Sequence, residues 1–214
     1  MTRRALIALG IGQCVNWGVL YYAFAVLPVP LEQELRQPTW VVTGAFSLAL
    51  LMSSALAPHV GAWCDRGRGS PIMQVGGIVA ALRLALWTFL PGVVALYAVW
   101  AVLGLCMAAS LYEPAFVIVG RSFTNPRQRL RALAAVTLFG GLASTVFLPA
   151  TAVLVSSWGW RRAVLVLAVA LAISTAVTRT LVFSASGPSE RHDPHPTGAI
   201  PAHMRPTVPP GSAS

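Results

Sequence analysis

Residues 5–31 read ALIALGIGQCVNWGVLYYAFAVLPVPL, a stretch that contains no charged side chain. A helix needs about 20 mostly apolar residues to cross the roughly 30 Å of hydrocarbon in a bilayer. The stretch meets that length and exceeds the apolar core of a signal peptide, which has about 7–15 residues. It also lacks a clean small-x-small cleavage site. A cleaved signal peptide is therefore the weaker alternative, and we expect a retained first membrane span.

The rest of the chain repeats this pattern of apolar runs and short polar segments. Of its 214 residues, 56% are hydrophobic and 10% are charged, whereas about 25% of the residues in a soluble domain are charged. This composition excludes a soluble globular protein. The runs predict an all-α membrane protein with six transmembrane helices, at roughly 5–29, 41–62, 71–90, 93–119, 132–155 and 162–183.

The placement of the 15 basic residues, all of which are arginines, predicts the orientation. Positively charged loops stay in the cytoplasm. If the amino terminus is cytoplasmic, the inner segments hold more arginines than the outer ones. The inner arginines are Arg3, Arg4, Arg66, Arg68, Arg121, Arg127, Arg129 and Arg131, and the outer ones are Arg36, Arg161 and Arg162. We therefore expect a multi-pass protein of the cell (inner) membrane with both termini in the cytoplasm. Since the arginines are dispersed between apolar runs, nucleic acid is not an expected partner.

The segment from residue 184 to 214 differs in composition from the rest of the chain. It contains seven of the 16 prolines and three of the four histidines, and so dense a run of prolines disfavours helices and sheets. The sequence therefore predicts a transmembrane domain over 1–183 and a disordered cytoplasmic tail rich in Pro, His and Ser over 184–214. The histidines and cysteines have no metal-ligand spacing, and no catalytic motif is present. We expect no metal, no cofactor and no enzymatic activity.

The first predicted helix carries a polar and aromatic face. At 100° per residue, a narrow arc collects Leu20 and Phe24 together with the candidate substrate-binding residues, which are Gln13, Asn16, Trp17 and, at the margin of the arc, Tyr21. Such a face suits the wall of a solute cavity. The alternative is that the amides form hydrogen bonds between helices, as they commonly do in membranes.

Arg83 and Glu113 are the charged residues that lie well inside predicted spans. A charge at the bilayer centre costs about 2.5–3.5 kcal/mol on insertion scales, so such residues usually face the bundle interior and have partners. In a functional interpretation, Arg83 attracts an anionic solute and Glu113 exchanges protons. In the structural alternative, the two charges neutralise each other.

A glycine- and arginine-rich turn, Gly61-Ala62-Trp63-Cys64-Asp65-Arg66-Gly67-Arg68-Gly69, joins the second and third predicted helices. It resembles the signature loop G-x-x-x-D-R-x-G-R-R/K of the major facilitator superfamily. Gly61, Asp65 and Arg66 match that pattern, whereas Arg68 and Gly69 stand where the family usually has Gly and then Arg. Two further segments resemble the family, namely Gly159-Trp160-Arg161 and Tyr112-Glu113-Pro114-Ala115-Phe116.

The resemblance implies the amino-terminal six-helix half of a transporter that has two such halves, with its solute site at the midplane between them. It implies secondary transport of a small organic solute, with an anion as one option, by a chain that carries one half. The expected partners are the lipid bilayer, the solute, and either a second copy or a separate carboxyl-terminal half. The alternative function is a non-transporting remnant or a membrane interaction protein.

Overall fold

The computed structural model describes residues 1–183, and all regular secondary structure in that range is helical. A 3₁₀ turn at Tyr22–Val26 and π-helical turns at Cys64–Arg68 and Arg179–Phe183 accompany the α-helices. The α-helices are α1 (Arg3–Leu20), α2 (Pro28–Leu35), α3 (Thr39–Trp63), α4 (Gly69–Trp87), α5 (Val93–Ser110), α6 (Tyr112–Ser122), α7 (Pro126–Gly141) and α8 (Ala143–Thr178).

Within residues 1–183, four continuous helical stretches are long and apolar enough to cross a membrane. They are Arg3–Val26, Thr39–Trp87, Val93–Ser122 and Pro126–Val182. The second and fourth each contain a glycine whose backbone leaves the helical conformation, Gly67 with φ 85° and Gly159 with φ 78°. The expectation of an all-helical protein whose helices are long and apolar enough to cross a membrane is thus confirmed for the described residues. The count of six spans stays a prediction, and the tail at 184–214 lies outside the described residues.

Several predicted helix boundaries were wrong. The first helix ends at Leu20 rather than 29, and a separate helix, α2, starts at Pro28 because proline fits the first turn of a helix. The fourth predicted helix is divided at Leu111. The fifth begins at Pro126 rather than 132, since the Asn125 side chain accepts hydrogen bonds from two backbone N–H groups of the first turn.

The helices pack through small residues and buried aromatic rings. Helix α5 lies along α3 and α4, while α1 lies against α7 and α8, and α4 also packs on α8. Gly104 allows the close approach of α5 to α3, because a Cβ there would lie 2.7 Å from the Cα of Ala49. Trp87 and Trp100 are among the largest fully buried side chains. The packing therefore leaves one face of α1 next to α5, α6 and α7, where the candidate site lies.

Candidate functional site

The junction between α5 and α6 leaves a buried carbonyl group without its helical partner. In a continuous helix, the carbonyl of Ser110 would accept from the backbone N–H four residues later. That position is Pro114, which has no N–H, and the chain breaks at Leu111, whose ψ is −149°. Ser110 is fully buried. Its carbonyl oxygen therefore needs a donor from another part of the fold.

Two amides of α1 supply that donor. The Nε2 of Gln13 and the Nδ2 of Asn16 donate to the Ser110 carbonyl at 3.1 Å and 2.9 Å. Both side chains are buried. This geometry corresponds to the interhelical hydrogen bonding that the sequence left open as the alternative to a cavity wall. A role for Gln13 and Asn16 in solute binding remains a prediction.

Half-buried aromatic rings from α1, the following 3₁₀ turn and α6 form a continuous group, which we call the aromatic face. The ring of Trp17 lies 4.8 Å from that of Tyr112 and 5.4 Å from that of Tyr21. Tyr112 stacks on Phe116 at 5.1 Å, and its hydroxyl donates to a backbone carbonyl of α7. Tyr22 joins the face, 5.2 Å from Tyr21. The aromatic face therefore brings ring surfaces and tyrosine hydroxyls together beside α1.

In the single α-helix that the sequence predicts over 5–29, Tyr22 would lie on the opposite side from this face. Because α1 ends at Leu20 and a tighter turn follows, the angular position of Tyr22 changes and its ring comes 6.5 Å from Trp17.

Two buried polar atoms on α1 have no hydrogen-bond partner among the described residues. They are the Oε1 of Gln13 and the Nε1 of Trp17. The two residues are four positions apart and therefore lie on the same side of the helix. The Oε1 of Gln13 is an acceptor and the Nε1 of Trp17 is a donor.

Ring contacts continue from the aromatic face toward the other end of the helices. Tyr21 contacts Phe46 of α3, and Phe46 stacks on Phe24. The contacts then run through buried tryptophans of α5, α4 and α8, which are Trp100, Trp87 and Trp160. Close aromatic pairs contribute about 0.5–1.5 kcal/mol beyond their buried area. These ring contacts therefore stabilise the helix packing next to the aromatic face.

Arg83 and Glu113 do not form an ion pair with each other. Arg83 is exposed on α4, and Glu113 is exposed in the first turn of α6. Among the described residues, the detected ion pair joins neither of them. The structural alternative of a direct charge pair therefore receives no support, and their functional roles remain predictions.

The turn at Cys64–Arg68 is stabilised from α6. The guanidinium of Arg121 donates to the backbone carbonyl of Asp65. Gly67 has a positive φ, which glycine adopts without the penalty that a side chain would impose. Arg66 and Arg68 are exposed, and Gly61 lies in the last turn of α3. Gly67 thus interrupts the helical conformation within the predicted turn, and the roles of the signature residues remain predictions.

A second group of polar contacts joins three segments at the other end of the helices. The Nε1 of Trp160 donates to Oε2 of Glu34 at 2.6 Å, and the guanidinium of Arg161 forms an ion pair with the same oxygen. The Nε of Arg161 also donates to the carbonyl of Thr88. Hydrogen bonding from Arg161 lowers the pKa of the Glu34 carboxyl, and this effect exceeds the opposing effect of burial.

Sequence reasoning missed several residues that the structure brings together. Tyr112 and Phe116 appeared only as part of a family-like segment, and Ser110 and Glu34 received no role. Pro114 could have indicated a role for the Ser110 carbonyl, since a proline within a helical run leaves the carbonyl four residues earlier without its hydrogen-bond donor. No comparable signal marks Glu34, because its partners lie 126 and 127 residues away along the chain.

Comparisons with known proteins agree with these observations. The family profile described as Major Facilitator Superfamily matches residues 9–210. Monocarboxylate transporter 11 of Homo sapiens is 28% identical over 145 residues, which cover 68% of this chain and 30% of that protein. Monocarboxylate transporter 14 of Homo sapiens is 26% identical over 189 residues, covering 87% of this chain and 36% of that protein.

A third relative shows a similar extent of overlap. Monocarboxylate transporter 4 of Rattus norvegicus is 30% identical over 157 residues, covering 69% of this chain and 32% of that protein. The chain thus spans about a third of the length of the curated relatives that it matches.

Proposed function

This chain belongs to the major facilitator superfamily, and on that premise we propose that it takes part in secondary transport of a small organic solute across the membrane. The observation that carries the proposal is the aromatic face, which joins Trp17 and Tyr21 of the first helical stretch to Tyr112 and Phe116 of α6. Rings with polar edges suit a solute that has both an apolar body and a polar group. Family membership points to a transporter rather than an enzyme.

A monocarboxylate is the solute class to examine first, because the relatives bear the name of monocarboxylate transporters. Arg83 is exposed and has no acidic partner among the described residues, so we assign it the attraction of an anion. Glu113 is the candidate for proton coupling. Gln13 and Asn16 would act at the same site mainly by holding the junction between α5 and α6 in place.

We further propose six membrane spans. At 1.5 Å per residue, the helical stretch Thr39–Trp87, with 49 residues, would be about 74 Å long if it were straight. This exceeds the roughly 30 Å of hydrocarbon. Chain reversal at Gly67, and at Gly159 in the stretch Pro126–Val182, would divide the two long stretches into two spans each. The positive-inside rule then favours cytoplasmic termini in the inner membrane.

A second six-helix unit completes the proposed cavity. The aromatic face and the charge of Arg83 would otherwise meet lipid, where unpaired polar groups cost several kcal/mol. Either a separate carboxyl-terminal half or a second copy would cover this surface, since the two halves of such transporters are related by pseudo-symmetry. The alternative function is a remnant that folds in the membrane without transporting.

Uptake into proteoliposomes tests the transport proposal. The purified full chain is reconstituted, and the uptake of radiolabelled monocarboxylates from acetate to benzoate is followed with and without a pH gradient. Trp17→Ala and Arg83→Ala should lower uptake, whereas Trp158→Ala, at an exposed ring outside the aromatic face, is the matched control. Glu113→Gln should change the pH dependence of uptake rather than the affinity for the solute.

The outcomes separate the alternatives. Uptake that Trp17→Ala and Trp158→Ala reduce equally would contradict a solute site at the aromatic face. A folded, monodisperse protein with no uptake for any solute would favour the remnant. If Arg83→Ala and Glu113→Gln each destabilised the protein and the double variant recovered, the two charges would be a structural pair instead.

A further inference from the structure

A narrow groove lies between α4 and the carboxyl-terminal part of α8 (residues 160–178). Its volume is about 280 Å³, and its walls are mostly small apolar residues such as Ala81, Ala85, Ala168 and Ala172. The neighbouring side chain of Leu82 is 64% exposed. This side of the bundle is therefore an apolar surface that suits contact with lipid.

Three polar side chains line this groove, and they lie toward one end of it: Gln74, Thr175 and Arg179. Arg179, which directly follows α8, lines the groove and is exposed. Gln74 also lines the groove. It lies five residues after the start of α4, which is about 8 Å along that helix. The far part, around Ala85 and Ala168, is apolar. The groove thus has a polar end and an apolar body, which is the layout of an amphiphile.

Of these three polar side chains, Thr175 already has a partner, since its hydroxyl donates to the carbonyl of Leu171. Among residues 1–183, no acidic side chain lines the groove, and the ion pair in this range joins Glu34 to Arg161 rather than to Arg179. The Oε1 of Gln74 is buried and has no hydrogen-bond partner among the described residues. A buried acceptor without a partner is unfavourable. The end of the groove therefore offers one positive charge and one unpaired acceptor.

We propose that this groove binds one anionic phospholipid of the phosphatidylglycerol type. Its phosphate contacts the Arg179 guanidinium, a headgroup hydroxyl donates to the Oε1 of Gln74, and one acyl chain lies along the alanines toward Ala168. Charge complementarity favours a lipid over a protein helix, because an apolar helix would leave Arg179 unpaired in an apolar interface. The proposal does not depend on transport activity.

Native mass spectrometry of the purified full chain tests this proposal. The protein is equilibrated in detergent with equimolar phosphatidylglycerol and phosphatidylcholine of identical acyl chains, and the ratio of the bound lipids is measured. We expect phosphatidylglycerol to dominate. Arg179→Gln should lower the ratio about fivefold, since one basic residue near an anionic headgroup contributes about that factor. Arg179→Lys should retain most of it, and Gln74→Leu should lower it.

Two matched controls distinguish an effect at the groove from the effect of removing any surface arginine and from the effect of adding any large surface side chain. Arg127→Gln removes one exposed arginine at the start of α7, outside the groove, and should leave the ratio unchanged. Ala172→Phe fills the groove without changing charge and should reduce the number of retained lipids by one. Ala152→Phe, at an exposed alanine on the amino-terminal part of α8, should not.

Three results would overturn the proposal. They are an equal loss in Arg127→Gln and Arg179→Gln, unchanged lipid retention in Ala172→Phe, and an Ala172→Phe variant that changes the mass of the protein assembly. The last result would assign the groove to a second copy of the chain. If Arg179→Gln fails to fold, Ala172→Phe and Gln74→Leu still decide the question.

Discussion

Replacing the two amides that donate to the Ser110 carbonyl should reveal how the junction between α5 and α6 is stabilised. The variants are Gln13→Met and Asn16→Leu, which keep side-chain volume while removing the donors. Each donor lies within hydrogen-bond distance of the same oxygen, at 3.1 Å and 2.9 Å. After one substitution the other amide still satisfies the carbonyl. After both, a fully buried carbonyl has no partner, since Pro114 cannot donate.

The expected losses follow from this difference. A single interhelical hydrogen bond in a membrane protein contributes about 0.6 kcal/mol on average. An unsatisfied buried polar group costs about 1–3 kcal/mol. Asn16→Leu should therefore lower the free energy of unfolding by about 0.6 kcal/mol, Gln13→Met by less because it also removes the buried, unpaired Oε1 of Gln13, and the double variant by about 2 kcal/mol. The double loss thus exceeds the sum of the single losses.

Unfolding titrations with a denaturing detergent, followed by tryptophan fluorescence, measure these values. Gln33→Met, at an exposed glutamine of α2, is the control for loss of an amide without a buried partner. Pro114→Ala supplies a backbone N–H four residues after Ser110, so in that background the double substitution should cost less. A strictly additive double variant, or no effect of Pro114→Ala on its cost, would refute the reasoning.

Glu34→Gln should remove a contribution to stability that depends on pH, because hydrogen bonding from Arg161 lowers the pKa of the Glu34 carboxyl. A lowered native pKa stabilises the fold above the unfolded-state pKa of about 4.3, and this is lost as the pH falls through the native value. At this exposed pair, the two proteins should differ by about 0.5 kcal/mol at pH 7 and converge in acid, and a constant difference would contradict this. Gly104→Ala should cost about 1–3 kcal/mol in the same titration, because its Cβ would meet the backbone of α3. Gly141→Ala, where a Cβ has nothing within 4 Å, should be nearly neutral, and equal losses would exclude close packing as the cause. A cysteine introduced at Arg127, in a background without native cysteines, should escape an impermeant thiol reagent in intact cells, and ready labelling would reverse the proposed orientation.

Local composition predicted the class of fold because membrane insertion depends on it. Long charge-free runs such as 5–31 require helices, since backbone polar groups in lipid must be satisfied within the segment. The positive φ at Gly67 also fits the glycine-rich turn that the sequence predicts, because glycine tolerates that conformation. The ends of helices were less predictable, as the early end of α1 at Leu20 demonstrates.

The amino-acid sequence alone determined that the chain is an apolar helical membrane protein. It also contains sequence motifs of one transporter superfamily, and both features reside in contiguous residues. Only the tertiary structure decided what the polar side chains do. It paired Gln13 and Asn16 with a carbonyl 97 and 94 residues away, and it joined Arg161 to Glu34 across 127 residues. A side chain on a helix can face any of several neighbours, and its partner is set by how the helices pack rather than by its own segment.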